Sequence, residues 1–354
     1  MARPYGSAVL RAAGRRGLAP WCATPVHPVS WRVSRFDAAP CQPERVTLPQ
    51  FRPSLRLADR TLDLTRPALM GVVNANPDSF SDPGHRPLEA ILDQVRAMVA
   101  EGATVIDVGG QSGITNVPEV DPSEEIDRVA PVVEAIVSEL PHVVISVDTY
   151  KPPVVDAVLS AGAHIVNDVS GLRSPELAPL VARHRAALVV MHTAAPPKTR
   201  LQESDLYGNV VDEVRRFLGA KVGEAVGAGV DPESLLIDPG PDFTKTPAQT
   251  VEVLRHLGEL NPDRLPALLA ISRKDFIGAL TQTRPKERLA GTLAAVAAVG
   301  SGSGMVLRVH DVGEVRRFLT VLDVLRSADP VDPDLRLADE LRWAAGRPDG
   351  TRAT

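Results

Sequence analysis

Between residues 68 and 309 short apolar runs of β-favouring residues return eight times, each followed by a stretch with helical periodicity. This alternation limits what the chain can fold into more than any other feature. The runs occupy 68–74, 104–108, 143–147, 165–167, 187–191, 235–237, 268–271 and 305–309. They hardly alternate apolar with polar residues, as expected of parallel strands buried on both faces. The intervening stretches, 88–100, 122–140, 152–161, 176–184, 210–228, 247–260, 284–299 and 312–325, carry apolar residues three and four apart, and Val210, Val214, Phe217, Leu218, Val222 and Val226 form one such stripe. Asp121 before Pro122 and Thr246 before Pro247 supply helix start signals. Eight strand-helix units predict an α/β chain folded as a single (β/α)8 TIM barrel with an N-terminal extension, because open doubly wound sheets use fewer strands.

The flanks read differently. Residues 1–60 hold ten arginines against Asp37, Glu44 and Asp59, a charge of +7 in a chain whose total is −5. We therefore expect an extension over 1–60, the barrel over 61–328 and a tail over 329–354 with a short helix near 338–345. The head reads as poorly ordered chain or an upstream start codon before it reads as an organellar presequence. Two cysteines, Cys22 and Cys41, cannot build a disulfide framework, and a reducing cytoplasm is the expected home. No run of 18 uncharged apolar residues occurs, so no membrane span is expected, and the net charge gives no general attraction for nucleic acid or anionic lipid.

In a parallel barrel the C-terminal strand ends share one mouth, so polar residues after separate apolar runs meet there. Asn74, Asp107, Asp148, Asn167, Asp238, Lys274, Arg308 and His310 all hold such positions. Asp107 and Asp148 sit in apolar sequence, where an unpaired carboxylate is strongly disfavoured, so each needs donors from a ligand or from capped backbone. A flat heteroaromatic ring with adjacent N–H and amino groups would suit the carboxylates, Asn167 could read the opposite edge, and Lys274 could meet a carbonyl. Sugar hydroxyls or a carboxylate-bearing ligand remain open on the same residues. Arg308 and His310 alternate about Val309 and, on an extended strand, would share one side as an anion pocket, with His310 a neutral hydrogen-bond donor. The loop from Asn74 to Asp82 is rich in oxygen acceptors and reads as a substrate-facing turn or as a place where magnesium bridges substrate phosphates. Gly109 to Gly113 is a turn-prone segment and not a Walker A loop, and no nucleophile elbow is present.

Taken together the motifs resemble the dihydropteroate synthase family over roughly residues 68–325. They are Met70-Gly71-Val72-Val73-Asn74 with Pro77-Asp78-Ser79-Phe80, Asp107-Val108-Gly109-Gly110, Ser146-Val147-Asp148-Thr149, Asn167-Asp168-Val169, Asp238-Pro239-Gly240, Ser272-Arg273-Lys274 and Arg308-Val309-His310. The resemblance implies that Asp107, Asp148, Asn167, Asp238 and Lys274 surround a pterin, while Asn74, Arg308 and His310 serve its diphosphate. It also implies a transferase of folate biosynthesis, condensing 6-hydroxymethyl-7,8-dihydropterin diphosphate with 4-aminobenzoate. Magnesium (Mg2+) is implied as the phosphate partner, with Asn74 its protein contact.

Several positions depart from the family pattern. Gln111-Ser112-Gly113-Ile114-Thr115-Asn116 replaces a Glu-Ser-Thr-Arg-Pro-Gly-like run, removing an arginine from the amine side, where Ser112, Thr115, Asn116 and Asp275 are the candidate residues. Ala75-Asn76 stands where a Val-Thr pair is usual, and Asp242-Phe243-Thr244-Lys245 where the family has Gly-Phe-Gly-Lys. Asp275 replaces a serine and is expected to add negative charge beside Lys274. These departures frame the alternatives: a homologue using another amine, a non-catalytic pterin-binding protein, or a pterin-dependent methyltransferase, the last leaving Arg308 and His310 without a diphosphate. The late helices 284–299 and 312–325, with their alanines, would also allow a homodimer or ordinary internal packing.

Overall fold

The computed structural model describes residues 48–75, 88–111, 118–261, 263–327 and 330–342. The chain enters through an antiparallel hairpin, β1 (Ser54–Arg56) and β2 (Thr61–Asp63). A closed barrel of eight parallel strands follows: β3 (Ala68–Asn74), β4 (Val105–Gly109), β5 (Val144–Asp148), β6 (Ile165–Asp168), β7 (Ala187–Met191), β8 (Leu235–Asp238), β9 (Ala267–Leu269) and β10 (Met305–Val309), with β10 pairing back onto β3. Helices α1 (Leu88–Ala100), α2 (Pro122–Glu139), α3 (Pro152–Ser160), α4 (Leu177–His184), α5 (Val210–Gly227), α6 (Pro247–Arg255), α7 (Asp275–Thr281), α8 (Leu289–Ala295) and α9 (Val312–Arg326) lie along the chain between and after the strands. The TIM barrel read from the alternation is thus the observed fold.

Two apolar layers account for the architecture. Val73, Ile106, Val147, Val166, Val190 and Ile237 point outward from the strands and pack with Val95, Val133, Val158, Val181 and Val214 of the helices. Met70, Val105, Val144, Ile165, Val189, Leu236 and Val306 fill the barrel interior. Leu55, Leu57 and Leu64 join this inner cluster, so the hairpin plugs the barrel floor. Backbone bonds from Phe51 to Ser303, from Arg52 to Arg264 and from Gly304 to Leu64 tie the plug to the loops around β9 and β10.

The anticipated caps are in place: Asp121 accepts from the Ser123 amide at 2.9 Å, and Thr246 forms a capping box with Gln249. Some boundaries differ. β9 ends at Leu269 rather than at residue 271, and α6 gives way at His256 to a 3-10 turn, Leu257–Glu259. The single helix expected over 284–299 is three pieces: a 3-10 turn at Pro285–Glu287, then α8, then a π turn over Val296–Gly300. Pro285 opens the first piece, and α7, absent from the sequence reading, precedes it. Where a helix over 338–345 was expected, the described residues, which end at Arg342, hold a 3-10 turn, Asp339–Leu341; residues 343–345 lie outside them. Leu335, Leu337 and Leu341 are exposed there, so the described part of the tail has no packed apolar face.

The composition change near residue 60 falls inside the compact unit, which begins at Val46. The last arginines of the basic head serve the floor: Arg52 donates to the Pro232 carbonyl at 2.8 Å, Arg56 pairs with Asp231 at 2.9 Å and with Glu233, and Arg60 donates to the Pro141 carbonyl at 2.7 Å. Cys22 and Cys41 lie outside the described residues. Among those residues no helix is long and apolar enough to cross a membrane.

Candidate active site

Strand register carries the predicted polar residues to one end of the barrel. Asn74 pairs with Gly109, Gly109 with Asp148 and Asp148 with Asn167, making one continuous row across β3 to β6. Asp107 lies beside Ser146 one layer deeper, and Asp238 beside Met191 at the end of β8.

Asp107 is fully buried and satisfied by three donors: Ser146 Oγ at 2.6 Å, Asn167 Nδ2 at 3.3 Å and Arg308 Nε at 2.7 Å. Arg308 reaches onward from β10 to Asp148 through Nη2 at 3.2 Å, joining the two carboxylates. Burial raises the Asp148 carboxyl well above its ordinary range; Arg308 opposes this and the nearby Asp107 adds to it. Asn167 gives its amide to Asp107, and its Oδ1 is buried with no hydrogen-bond partner among the described residues. An orphaned buried acceptor at a barrel mouth is the feature a ligand N–H would complete.

On the opposite wall Asp238 is 2% exposed and accepts from the Gly240 amide at 2.7 Å. Burial pushes its carboxyl up to about 6 against that bond and the charges of Lys274, Lys245 and Arg308. Gly240, at φ 65, packs against the His192 carbonyl so closely that a Cβ would overlap it. Lys245, fully buried, stitches this turn by donating to Gly240 O at 3.0 Å and Phe243 O at 3.1 Å beside His192 Nδ1 at 2.7 Å. Burial brings its ammonium down to about 7. Lys274 stands over the Phe243 ring, 4.4 Å from its centroid, and burial lowers its pKa against the pull of Asp242 and Asp238.

His310 falls one residue beyond the end of β10, so the alternation with Arg308 does not continue as strand. Its Nδ1 lies 3.1 Å from Ser272 Oγ, and burial together with Arg273 and Arg308 lowers its pKa, which favours the neutral ring. Asp275 is exposed and pairs with Arg288 at 2.9 Å, which offsets the negative charge it was expected to bring. Ser112, Thr115 and Asn116, and the first loop from Asn76 to Asp82, lie outside the described residues. Asn74 is exposed at the tip of β3, and no cluster of three or more His, Cys, Asp or Glu side chains able to hold a metal occurs among the described residues.

Lys151 and Glu125 form a buried pair at 2.8 Å at the start of α2 and α3, and Lys151 also donates to the Val120 carbonyl. Gly110 is required there because a Cβ would meet Glu125 Cγ at 2.7 Å and Val129 Cγ1 at 2.8 Å.

A family profile described as pterin binding enzyme matches residues 70–310, the span that holds every one of these strand ends. The dihydropteroate synthase of Escherichia coli (strain K12) is 39% identical over 269 residues, covering 76% of this chain and 95% of that protein. The chain belongs to the dihydropteroate synthase family. Among solved structures, Xanthomonas albilineans dihydropteroate synthase with 4-aminobenzoic acid aligns at 41% identity and TM-score 0.71, over 78% of this chain and 99% of that one. The same enzyme in complex with 7,8-dihydropteroate aligns at 40% identity and TM-score 0.69, over 78% and 100%. The dihydropteroate synthase resemblance read from scattered motifs is therefore a true membership.

Sequence reasoning missed the partners of these groups. Ser146 was legible, because it lies two residues before Asp148 on the same strand and so shares its face. Phe243 and Lys245 stood in the stretch set against the family's Gly-Phe-Gly-Lys pattern, but their contacts with Lys274 and His192, and His192 itself, carried no spacing signal, since turns bring them together.

Proposed function

We infer that the chain is a dihydropteroate synthase, joining 6-hydroxymethyl-7,8-dihydropterin diphosphate to 4-aminobenzoate with release of diphosphate. The observation that carries this is the meeting of Asp107, Asp148, Asn167, Asp238, Lys274 and Arg308 around one mouth, with the Asn167 Oδ1 acceptor still to be filled. The amine substrate also follows from relatives solved with 4-aminobenzoic acid and with the condensed product.

In this reading Asp238 and Asp148 accept from the N–H edge of the pterin, Asn167 reads its neighbouring donor, and Lys274 meets the ring carbonyl. The methylene carbon–oxygen bond breaks with its electron pair leaving on the diphosphate. The neutral arylamine nitrogen forms the new carbon–nitrogen bond and sheds a proton to solvent. Positive charge develops on the ring and negative charge on the leaving group, so preorganised groups at both ends lower the barrier. Arg308 uses Nε and Nη2 on the two aspartates, which leaves Nη1 for an anion, and neutral His310 can donate to a phosphate oxygen.

Magnesium would arrive with the diphosphate. A single exposed amide oxygen, from Asn74, with no carboxylate cage among the described residues fits an ion that keeps its waters and takes most ligands from phosphate. When bound it would neutralise charge on the leaving group. The exposed apolar residues Leu280 of α7 and Val321, Val324 and Leu325 of α9 support a homodimer, which light scattering would test.

The purified chain, given both substrates and magnesium, should release dihydropteroate and diphosphate in equal amounts. Diphosphate release without the condensed product, or no turnover with both substrates bound, would overturn the assignment.

A further inference from the structure

Phe243 is flanked by two side-chain-bearing residues in the left-handed region, Asp242 at φ 64 and Thr244 at φ 50. Such conformations are disfavoured for residues with a Cβ and persist where their surroundings over-determine them. Here they do. The Asp242 amide donates to Thr250 Oγ1 at 3.0 Å, and that hydroxyl donates back to Asp242 Oδ1 at 3.1 Å. Thr244 Oγ1 accepts from the Ala194 amide at 3.0 Å, and the Tyr207 hydroxyl donates to the Thr244 carbonyl at 2.9 Å.

The remaining oxygen of Asp242 leaves its own loop. Oδ2 accepts from the amide of Phe276, in the first turn of α7, at 3.1 Å. The residue in the N-cap position of α7 is Lys274, a side chain with no acceptor, and it makes no capping bond. A free first-turn amide and the positive end of a helix both favour a carboxylate, and Asp242 supplies it from the loop after β8. With Asp242 supplying the acceptor that Lys274 lacks, the Lys274 ammonium stands over the Phe243 ring.

We propose that Asp242 is a positioning residue that caps α7 from the neighbouring loop and thereby holds Phe243 and the Lys274 ammonium in register at the mouth. Its bearing on turnover rests on the function inferred above. The charges acting on Lys274 come from both loops and from β10: Asp242, Asp238 and Asp275 favour its protonated form, while burial, Arg308 and Lys245 oppose it. Asp242 is the largest of the favourable charges.

The chain has six lysines, so lysine labelled with 13C at the ε position gives a simple spectrum in which Lys274→Arg identifies the relevant signal. Asp242→Asn tolerates positive φ and keeps an acceptor for Phe276 but loses the charge, whereas Asp242→Gly loses both cap and charge while suiting the backbone. Both variants should lower the Lys274 titration midpoint by about one pH unit. In Asp242→Asn, kcat/KM for the pterin diphosphate should fall only on the alkaline side. In Asp242→Gly it should fall about tenfold at every pH, with the unfolding temperature near that of the parent. An unchanged Lys274 midpoint in both variants, or a parental kcat/KM profile in Asp242→Gly, would overturn the proposal. The titration needs no substrate, so a parent protein without turnover would refute the inferred activity while this measurement still decides the role of Asp242.

Discussion

Replacing Asp238 by Asn should make the ligand-free protein more stable while destroying its recognition of the pterin. Burial raises the Asp238 carboxyl from 3.8 to about 6, so between these values the folded state binds a proton more tightly than the unfolded chain. Stability is then lost as pH rises across that window, and the loss is complete above about 6. A shift of roughly two units corresponds to about 3 kcal/mol. Asparagine keeps the acceptor that meets the Gly240 amide and has no charge to bury. For a chain of this size the gain is worth roughly 2 °C per kcal/mol, or about 6 °C in Tm at pH 8, shrinking towards zero near pH 4. Asp148 titrates in both proteins and cancels in the difference. Calorimetry at a series of pH values gives the first quantity, and fluorescence titration with 6-hydroxymethylpterin gives the second, for which loss of a charge-assisted pair predicts a drop of about 10- to 100-fold. A variant no more stable at pH 8 than at pH 4 relative to its parent, or one with parental pterin affinity, would refute the reasoning.

Arg308→Ala removes the cation that joins Asp107 and Asp148, and should cost about 3 kcal/mol in urea unfolding at pH 8 and less at pH 5, where protonation of Asp148 relieves its unpaired charge. The same variant should weaken binding of the diphosphorylated pterin more than of the unphosphorylated one, and equal weakening would remove its anion role. Gly110→Ala should destabilise by about 1–3 kcal/mol through collision with Glu125 and Val129, read by the same unfolding curves. Leu55→Ala opens a cavity in the barrel floor and should cost about 2–5 kcal/mol while leaving KM for both substrates unchanged, because the plug lies at the end opposite the mouth.

The strands were legible because burial on both faces leaves an unbroken apolar run, and the strand-end residues were legible because a parallel barrel has one rule for where its mouth lies. What escaped was set by short range geometry or by distant contact. α7 spans only Asp275–Thr281, two turns that follow a strand too closely to show a period. The run over 284–299 looked like one helix since its alanines and glycines carry little directional signal. In the structure Gly291 lies against Ile277 and Gly300 against Leu307, close approaches that small residues permit. The role of Arg308 as the bridge between Asp107 and Asp148 was hidden because β10 meets β3 only on closure, and no spacing in the chain encodes that neighbour. Arg52, Arg56 and Arg60 counted with the basic head by composition, yet their partners Pro232, Asp231, Glu233 and Pro141 lie far along the chain.

The floor plug has a consequence for biogenesis. Leu55 and Leu64 emerge from the ribosome early, but Arg264, Ser303 and Gly304, which anchor the plug, emerge only with the last strands. A nascent chain stalled before β10 therefore carries an uncovered greasy hairpin and an unclosed sheet edge, both adhesive surfaces. Release of the finished polypeptide joins the two ends at once, and termination near residue 300 should yield material that chaperones retain or that precipitates.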